Sequence, residues 1–527
     1  MRRALLLSLF AGLSACSPAD SGSPRSGTGA QGGSGAGGQT LGGAGAAAVG
    51  GGSIAGASGA GGVTGGASGT AGTPGASGSA AGGAGGAGAG GASGASGAAG
   101  GGAGAAGSVG TGVPSGDPIL DRLSTTDVTV PAGAKAGTRN WRVWDSTMLK
   151  VAPVYAAPLA NCGTVVCYTS GSAGSPNARA LRLDSQDALA SAVDLGAGLE
   201  CRGIAAEPDG HFAALLWNGE TDQIWVKRYD LAGAELFATE LKNDDNHPTD
   251  FGIGEARMEF GDGKYGAYYH VHSDSGHEGD TLKYVAAATG VEDTTWAWGC
   301  SHIMSNLLTY NPMANAFLAT CVTDCYPGTQ GSSFQTTAIG GIYLENRRKV
   351  MDVAAGCNGT VAGELGGAAV ASNGWKLVFN AHRGPVALGQ DSYDTATMNQ
   401  DIAFASVSTM KMLAGEVVWL TDTPGSNEAD SAMAPWKPAG DAAEQYIVGW
   451  LDPKPAPAYK LSRVDPAGKI LEGPIDVTAK ARWGMRDDPF RAHVNGDIVW
   501  AWFEAANATT LKVARLRSDG MATCAAF

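Results

Sequence analysis

Residues Cys201–Leu241 read CRGIAAEPDGHFAALLWNGETDQIWVKRYDLAGAELFATEL. This is a short apolar run, a tight turn, an apolar and aromatic run, a polar loop, a third run, a second turn and a fourth run. Pro208-Asp209-Gly210 makes the first turn and Leu231-Ala232-Gly233 the second. Such turns have a mechanism: proline presets one backbone dihedral and glycine accepts a positive φ. The stretch therefore predicts four sequential antiparallel strands.

Six further stretches overlay on it. The second-strand cores are TVVCYT from Thr164, HFAALLW from His211, YGAYYHVH from Tyr265, AFLATCV from Ala316, WKLVFNAH from Trp375, YIVGWL from Tyr446 and DIVWAWF from Asp497. Third strands recur as IWVKRYD, TLKYVAA, IGGIYLE, DIAFASV, YKLSRVD and LKVARLR. That is seven units over roughly 390 residues, about 55 residues each. A four-stranded sheet of this size cannot cover both its faces alone, and radial stacking against neighbours buries them. The expected fold class is all-β, a seven-bladed β-propeller; six or eight blades, or tandem β-sandwiches, are the competing arrangements. The last unit lacks a full fourth strand before Phe527, and STTDVTV from Ser124 is available to supply it and close the ring. Trp144-Asp145 stands alone rather than as a tryptophan–aspartate repeat, and no aspartate box of the sialidase type is present.

Outward from the propeller, the N-terminal part has a different composition. MRRALLLSLFAGLSAC opens with Arg2 and Arg3, an apolar run over Ala4–Gly12, then small residues leading to Cys16. The run is too short for a bilayer span, which takes about 20 residues, and it reads as a removable secretory signal over residues 1–15. Leu13-Ser14-Ala15-Cys16 resembles the lipobox of bacterial lipoproteins. The resemblance implies cleavage before Cys16, acylation of that residue, and attachment to the outer membrane or cell surface of a bacterium. Several acyl chains hold firmly at about 0.8 kcal/mol per buried methylene.

Residues 16–116 are almost entirely Gly, Ala, Ser and Thr, with Asp20 and Arg25 the charges. Too little apolar surface is available there to offset the entropy of ordering. A Gly-rich coil of roughly 100 residues spans about 50–60 Å, enough to lift a domain clear of headgroups. The propeller is expected over residues 117–527 as a monomeric domain. Its charge is about −16 once Arg2 and Arg3 leave with the signal, which argues against nucleic acid, since phosphate binding needs a basic patch.

Apart from Cys16, eight cysteines remain, an even number consistent with disulfides in an exported protein. Close spacing suggests Cys162 with Cys167 and Cys321 with Cys325, provided the backbone turns between them.

Two patterns point to a ligand face. Connections from second to third strands are long in units three to five: HSDSGHEGD from His272, TDCYPGTQGSSFQ from Thr323 and HRGPVALGQDSYDTATMNQ from His382. Long loops on a rigid scaffold concentrate binding residues. Alignment also places Glu200, Arg202, Glu255, Arg257, His302, Glu364, Asp430 and Asp487 near the starts of innermost strands, at one mouth of the central channel. Glu200, Arg202, Glu255, Arg257 and His382 are the ligand-binding candidates. The metal candidates are His270, His272, His277, Glu278 and His302, because imidazole with carboxylate suits zinc or copper ahead of calcium. The best reading is a surface-displayed binding module for a carbohydrate, peptide or envelope component. A metal-dependent hydrolase or lyase and a structural spacer or adhesin are the competing readings.

Overall fold

The computed structural model describes residues 118–137, 151–172, 174–241, 256–272, 278–297, 305–323, 341–346, 348–352, 363–384, 399–437, 443–484, 490–518 and 523–525. Side chains of residues 271–279 and 294–297 lie outside that description. So do Cys16 and the segments expected as signal (residues 1–15) and tether (residues 16–116). Among the described residues no helix is long and apolar enough to cross a membrane.

The chain forms seven four-stranded antiparallel sheets. Blade 1 spans residues 155–197, blade 2 200–241, blade 3 256–297, blade 4 305–352, blade 5 363–419 and blade 6 429–476. Blade 7 combines three strands from residues 491–516 with the N-terminal strand Leu123–Thr129. The first strand of each blade is innermost. These inner strands touch in sequence order, and those of blades 7 and 1 complete the circle. The molecule is a seven-bladed β-propeller, as the repeat predicts. The STTDVTV segment does close it, pairing from Leu123 with Leu516 to Thr129 with Thr510.

The core is divided among the blade interfaces. Buried apolar side chains fall into seven clusters, and each cluster draws on two adjacent blades. Strands buried on both faces carry the near-continuous apolar runs seen in the second-strand cores. Leu215, for example, packs toward blade 3 while Leu216 packs toward blade 1, as alternation along a strand requires.

Third and fourth strands meet in turns built alike in three blades. Asp184, Asp230 and Asp465 each accept, through Oδ1, the N–H groups two and four residues on, at 2.8–2.9 Å. The fourth residue of each turn, Asp187, Gly233 or Gly468, has φ between +63° and +88°. Glycine takes that conformation at no steric cost, and aspartate tolerates it.

One disulfide expectation is overturned. Cys162 bonds Cys524 and Cys167 bonds Cys201, with Cα separations of 5.4 and 6.1 Å. Cys162 sits in the turn before the strand Thr164–Ser172, and Cys167 stands within that strand. Cys162 is thereby turned toward Cys524 near the C-terminus, and Cys167 toward the inner strand of blade 2. Cys321 is also disulfide-bonded; Cys325 lies outside the described residues.

Candidate functional site

Strand direction defines two faces. Connections from second to third strands and from one blade to the next leave on the upper face; the remaining hairpins form the lower face. The upper-face connections 324–340 and 385–398 lie within undescribed segments. The expected long loop of blade 3 is strand at both of its ends, where His270, Val271 and His272 pair with Asp280, Gly279 and Glu278; residues 273–277 lie outside the described residues.

At the upper mouth, blade 2 begins with Glu200 and carries Arg202 two residues on. Glu200 Oε1 meets Lys135 Nζ at 2.7 Å, and Oε2 meets Arg202 Nη2 at 3.1 Å. Lys135 comes from the segment that follows the closing strand, and it is 1% exposed. The Arg202 guanidinium lies 4.7 Å from the centroid of the Trp217 ring, a cation–π contact worth about 0.5–2 kcal/mol. The indole nitrogen donates to Asp222 Oδ1 at 3.1 Å, which holds the ring in place.

Blade 3 adds a second group. Arg257 pairs across the sheet with Tyr268, and His270 pairs with Asp280. With Tyr268 and His270 two residues apart, all four share one face. Tyr268 packs with blade 4 residues Leu308 and Phe317, so that face is turned to blade 4. All four side chains are buried. The Tyr268 hydroxyl donates to the Asp280 carboxylate. Burial first, then the Asp280 charge, pushes the phenol well above its ordinary value, so Tyr268 stays protonated at neutral pH.

The third group spans blades 5 and 6. Asn380 donates to Gln400 Oε1 at 2.7 Å and Glu364 Oε2 at 3.2 Å, and accepts from Ser431 at 3.3 Å. Arg383 pairs with buried Asp401 at 2.9 Å and lies over Trp419 at 5.2 Å. Half-buried His382 is adjacent; burial lowers its pKa, opposed by the Asp401 charge. Glu428 receives the hydroxyls of Thr421 and Thr423. Burial raises its pKa despite those bonds, with the Asp401 and Asp452 charges adding to the rise.

The channel beneath is bridged. Arg491, on the inner strand of blade 7, donates from Nε to Ala156 O in blade 1 at 2.8 Å. Its Nη2 reaches Glu259 of blade 3 at 3.2 Å. Blades 7 and 3 are not neighbours, so this ion pair spans the lumen. Glu259 lies toward the lower end of its strand, and the bridge narrows the channel below the mouth.

The structure thus places Glu200, Arg202, Arg257, Glu364 and Asp430 at inner-strand starts. Glu255, His302 and Asp487 lie outside the described residues, as does His277. Of the metal candidates His270 alone has a described side chain, and it is fully buried. Among the described residues, three potential metal-ligand atoms converge instead at Glu207, Asp209 and His211, on the lower face. Glu207 is committed elsewhere: Arg228 binds both its oxygens, at 2.7 and 3.1 Å, and the Tyr265 hydroxyl donates to it. That arrangement suits an ion pair better than a metal. Lys135, Trp217, Asn380 and Arg491 were not anticipated. Only Trp217 carried a sequence signal, as an aromatic at a strand end near Arg202.

No protein-family model and no curated protein sequence matches the chain. Solved structures resemble it at low identity. Polysaccharide lyase Uly1 is 10% identical, with 75% of this chain and 99% of that one covered and a TM-score of 0.40. The β-propeller domain of the Trilobed protease from Pyrococcus furiosus is 12% identical, covering 68% and 94%, with a TM-score of 0.35. A sialidase from Trypanosoma rangeli is 8% identical, covering 75% and 60%, with a TM-score of 0.35. A propeller fold does not by itself imply an activity, and function has to be argued from the site.

Proposed function

We propose that this protein is a lipid-anchored surface module whose upper face binds a carbohydrate. The observation that carries the reading is the set Lys135–Glu200–Arg202–Trp217. It places a cation on an indole face beside a carboxylate, at the mouth of a channel bridged lower down. Sugars present apolar C–H faces and vicinal hydroxyls, which match an aromatic plane flanked by charged hydrogen-bonding groups. Cys16 and the Gly-rich segment would hold this face away from the membrane on a long flexible tether.

Affinity electrophoresis of the purified propeller in gels of neutral and uronate polysaccharides tests the binding. Retardation by at least one polymer, abolished in Arg202→Ala, is the expected result; equal mobility in every gel rules the reading out. Retention of a Cys16→Ser variant in the membrane fraction would remove the anchor and leave the binding site standing. A second reading, a hydrolase or lyase, is favoured by the Tyr268–Asp280 hydrogen bond on the sheet face that also carries His270. New reducing ends from the same polysaccharides, measured with and without chelator, would replace binding by catalysis and reveal any metal requirement.

A further inference from the structure

Among the described residues nine large apolar side chains are exposed. Every one stands in a lower-face turn or in the first two residues of the strand that leaves such a turn. All seven blades contribute. Blade 2 gives Leu231 and Leu236, blade 5 gives Met410 and Met412, and the other five give one each, as Val291 in blade 3 and Met313 in blade 4. The described upper-face connections, 219–222, 420–428, 453–457 and 503–509 among them, present none. Single exposed apolar residues are ordinary on a protein surface. Scattered without pattern, they would fall on the flanks and the upper face as well.

Two of these turns are fastened to the blade before them. Arg348 of blade 4 donates to the carbonyls of Met410 and Lys411, and Lys411 pairs with Glu345 at 2.6 Å. Met410 and Met412 are nonetheless 71% and 51% exposed. Arg182 of blade 1 donates in the same way to Leu231 O. These cations are engaged between blades, and what the turns offer outward is apolar. The chain also enters at this end. The closing strand starts at Leu123, opposite Leu516 at the lower end of the third strand of blade 7. The short helix Pro118–Arg122 precedes it, so the segment carrying Cys16 joins the propeller on the lower face.

We propose that the lower face docks on lipid: its apolar crown enters the headgroup boundary of the leaflet that carries the anchor, and the upper mouth faces outward. The inference rests on the anchored-module reading above. Shallow interfacial binding grows with the apolar area inserted, and unbranched methionine side chains adapt to an irregular surface. Each contact is small, but the tether holds the propeller at high effective concentration over the leaflet and seven blades engage together. The formal charge of −14 favours zwitterionic over anionic headgroups.

The test is co-sedimentation of the chain from Ser17 to Phe527, which keeps the tether and lacks the acylated residue, with phosphatidylcholine vesicles. Partition into the vesicles is expected, undiminished between about 0.1 M and about 1 M salt, over which the screening length falls from about 10 Å to about 3 Å. It should weaken as phosphatidylglycerol is added. Val291→Asp/Met313→Asp/Met410→Asp/Met412→Asp should lower the partition coefficient at least tenfold with unchanged thermal melting, and Met410→Asp/Met412→Asp alone should give an intermediate loss. No partition by the parent chain, or partition unaltered in the fourfold variant, would overturn the proposal. So would a parent chain that light scattering shows to be a dimer and the variant a monomer, since the face would then belong to a second copy. The assay contains no acyl chain, so its outcome is independent of the Cys16→Ser test of the anchor.

Discussion

The lower end of the seam between blades 7 and 1 and the upper rim of blades 5 and 6 both bury charge, and they do so differently. At the seam, Arg515 is fully buried. It makes a bidentate contact with Asp187 at 2.7 and 2.9 Å, reaches Asp497 at 3.2 Å, and donates to Cys162 O at 3.3 Å. Asp497 also accepts the Ser518 N–H. One cation therefore answers two carboxylates in a dry interior. At the rim, Asp401, Glu428 and Asp452 approach one another closely enough that their charges raise the Glu428 pKa. The cations there, Arg383 and Lys460, sit partly in water. The seam buries its cation between its carboxylates and closes a ring; the rim keeps its cations at the wet edge of a face where loops meet. Burial alone thus does not mark a functional residue in this molecule. Whether the cation beside it is buried or in water separates the two regions.

The largest effect that would sharpen the contrast is at Arg515. Removing one partner of a buried ion network leaves uncompensated charge and costs about 3–5 kcal/mol. Arg515→Met should lower the urea-unfolding free energy by that amount, because Asp187 and Asp497 lose their counter-ion together. Lys512→Ala, which breaks an exposed pair three residues away on the opposite face of the same strand, should cost about 0–1 kcal/mol. Equal losses in the two variants would erase the distinction between a closing network and a surface pair.

Next in size is the covalent staple. Cys162–Cys524 joins residues 362 apart, whereas Cys167–Cys201 joins residues 34 apart between blades 1 and 2. The loop-closure entropy of the unfolded chain grows with the logarithm of loop length, which makes the long bridge worth about 2 kcal/mol more. The variant Cys162→Ser/Cys524→Ser should accordingly unfold at lower urea than Cys167→Ser/Cys201→Ser. The reverse order would mean that strain or residual structure, not ring closure, sets the worth of these bonds.

What the sequence made legible follows from how local each signal is. Turn residues such as Pro208-Asp209-Gly210 and the alternating pattern of STTDVTV act within a few residues, and the blades and their closure were readable from them. Lys135 finds Glu200 across 65 positions, and Arg491 finds Glu259 across 232. Nothing in either neighbourhood announces its partner; only the circle brings them together. The same reason defeated the Cys162–Cys167 pairing, since each finds a partner distant in sequence, Cys524 and Cys201. At blade 3, the run HSDSGHEGD from His272 reads as loop because of its polar residues. Pairing continues through His272 and Glu278 because the aromatic strand Lys264–His272 carries its partner with it.

The smallest effects concern acid, and here the two regions should respond with opposite sign. His493, at the seam, is buried and joined to Thr164 Oγ1 at 3.2 Å. Burial, with the Arg515 charge second, lowers its pKa to about 3. The unfolded chain binds that proton below about 6.5 while the folded protein refuses it, so the seam loses about 1.4 kcal/mol per pH unit on going down from there. Glu428, at the rim, has its pKa raised above 4.5. The folded protein holds that proton longer than the unfolded chain, so the protonated form's stability is present at low pH and lost as pH rises through the folded value. Glu428→Gln keeps a carbonyl oxygen for Thr421 and Thr423 and removes the charge. It should stabilise the protein modestly at pH 7, with the difference from wild type vanishing near pH 4. In His493→Gln the decline in stability between pH 6 and pH 4 should become shallower, while Glu428→Gln should leave that decline at least as steep as in wild type. Melting temperatures across pH 4–8 for the two variants would decide it. Parallel curves for both would show that neither buried group titrates as its surroundings require, and that the rim and the seam share one electrostatic character.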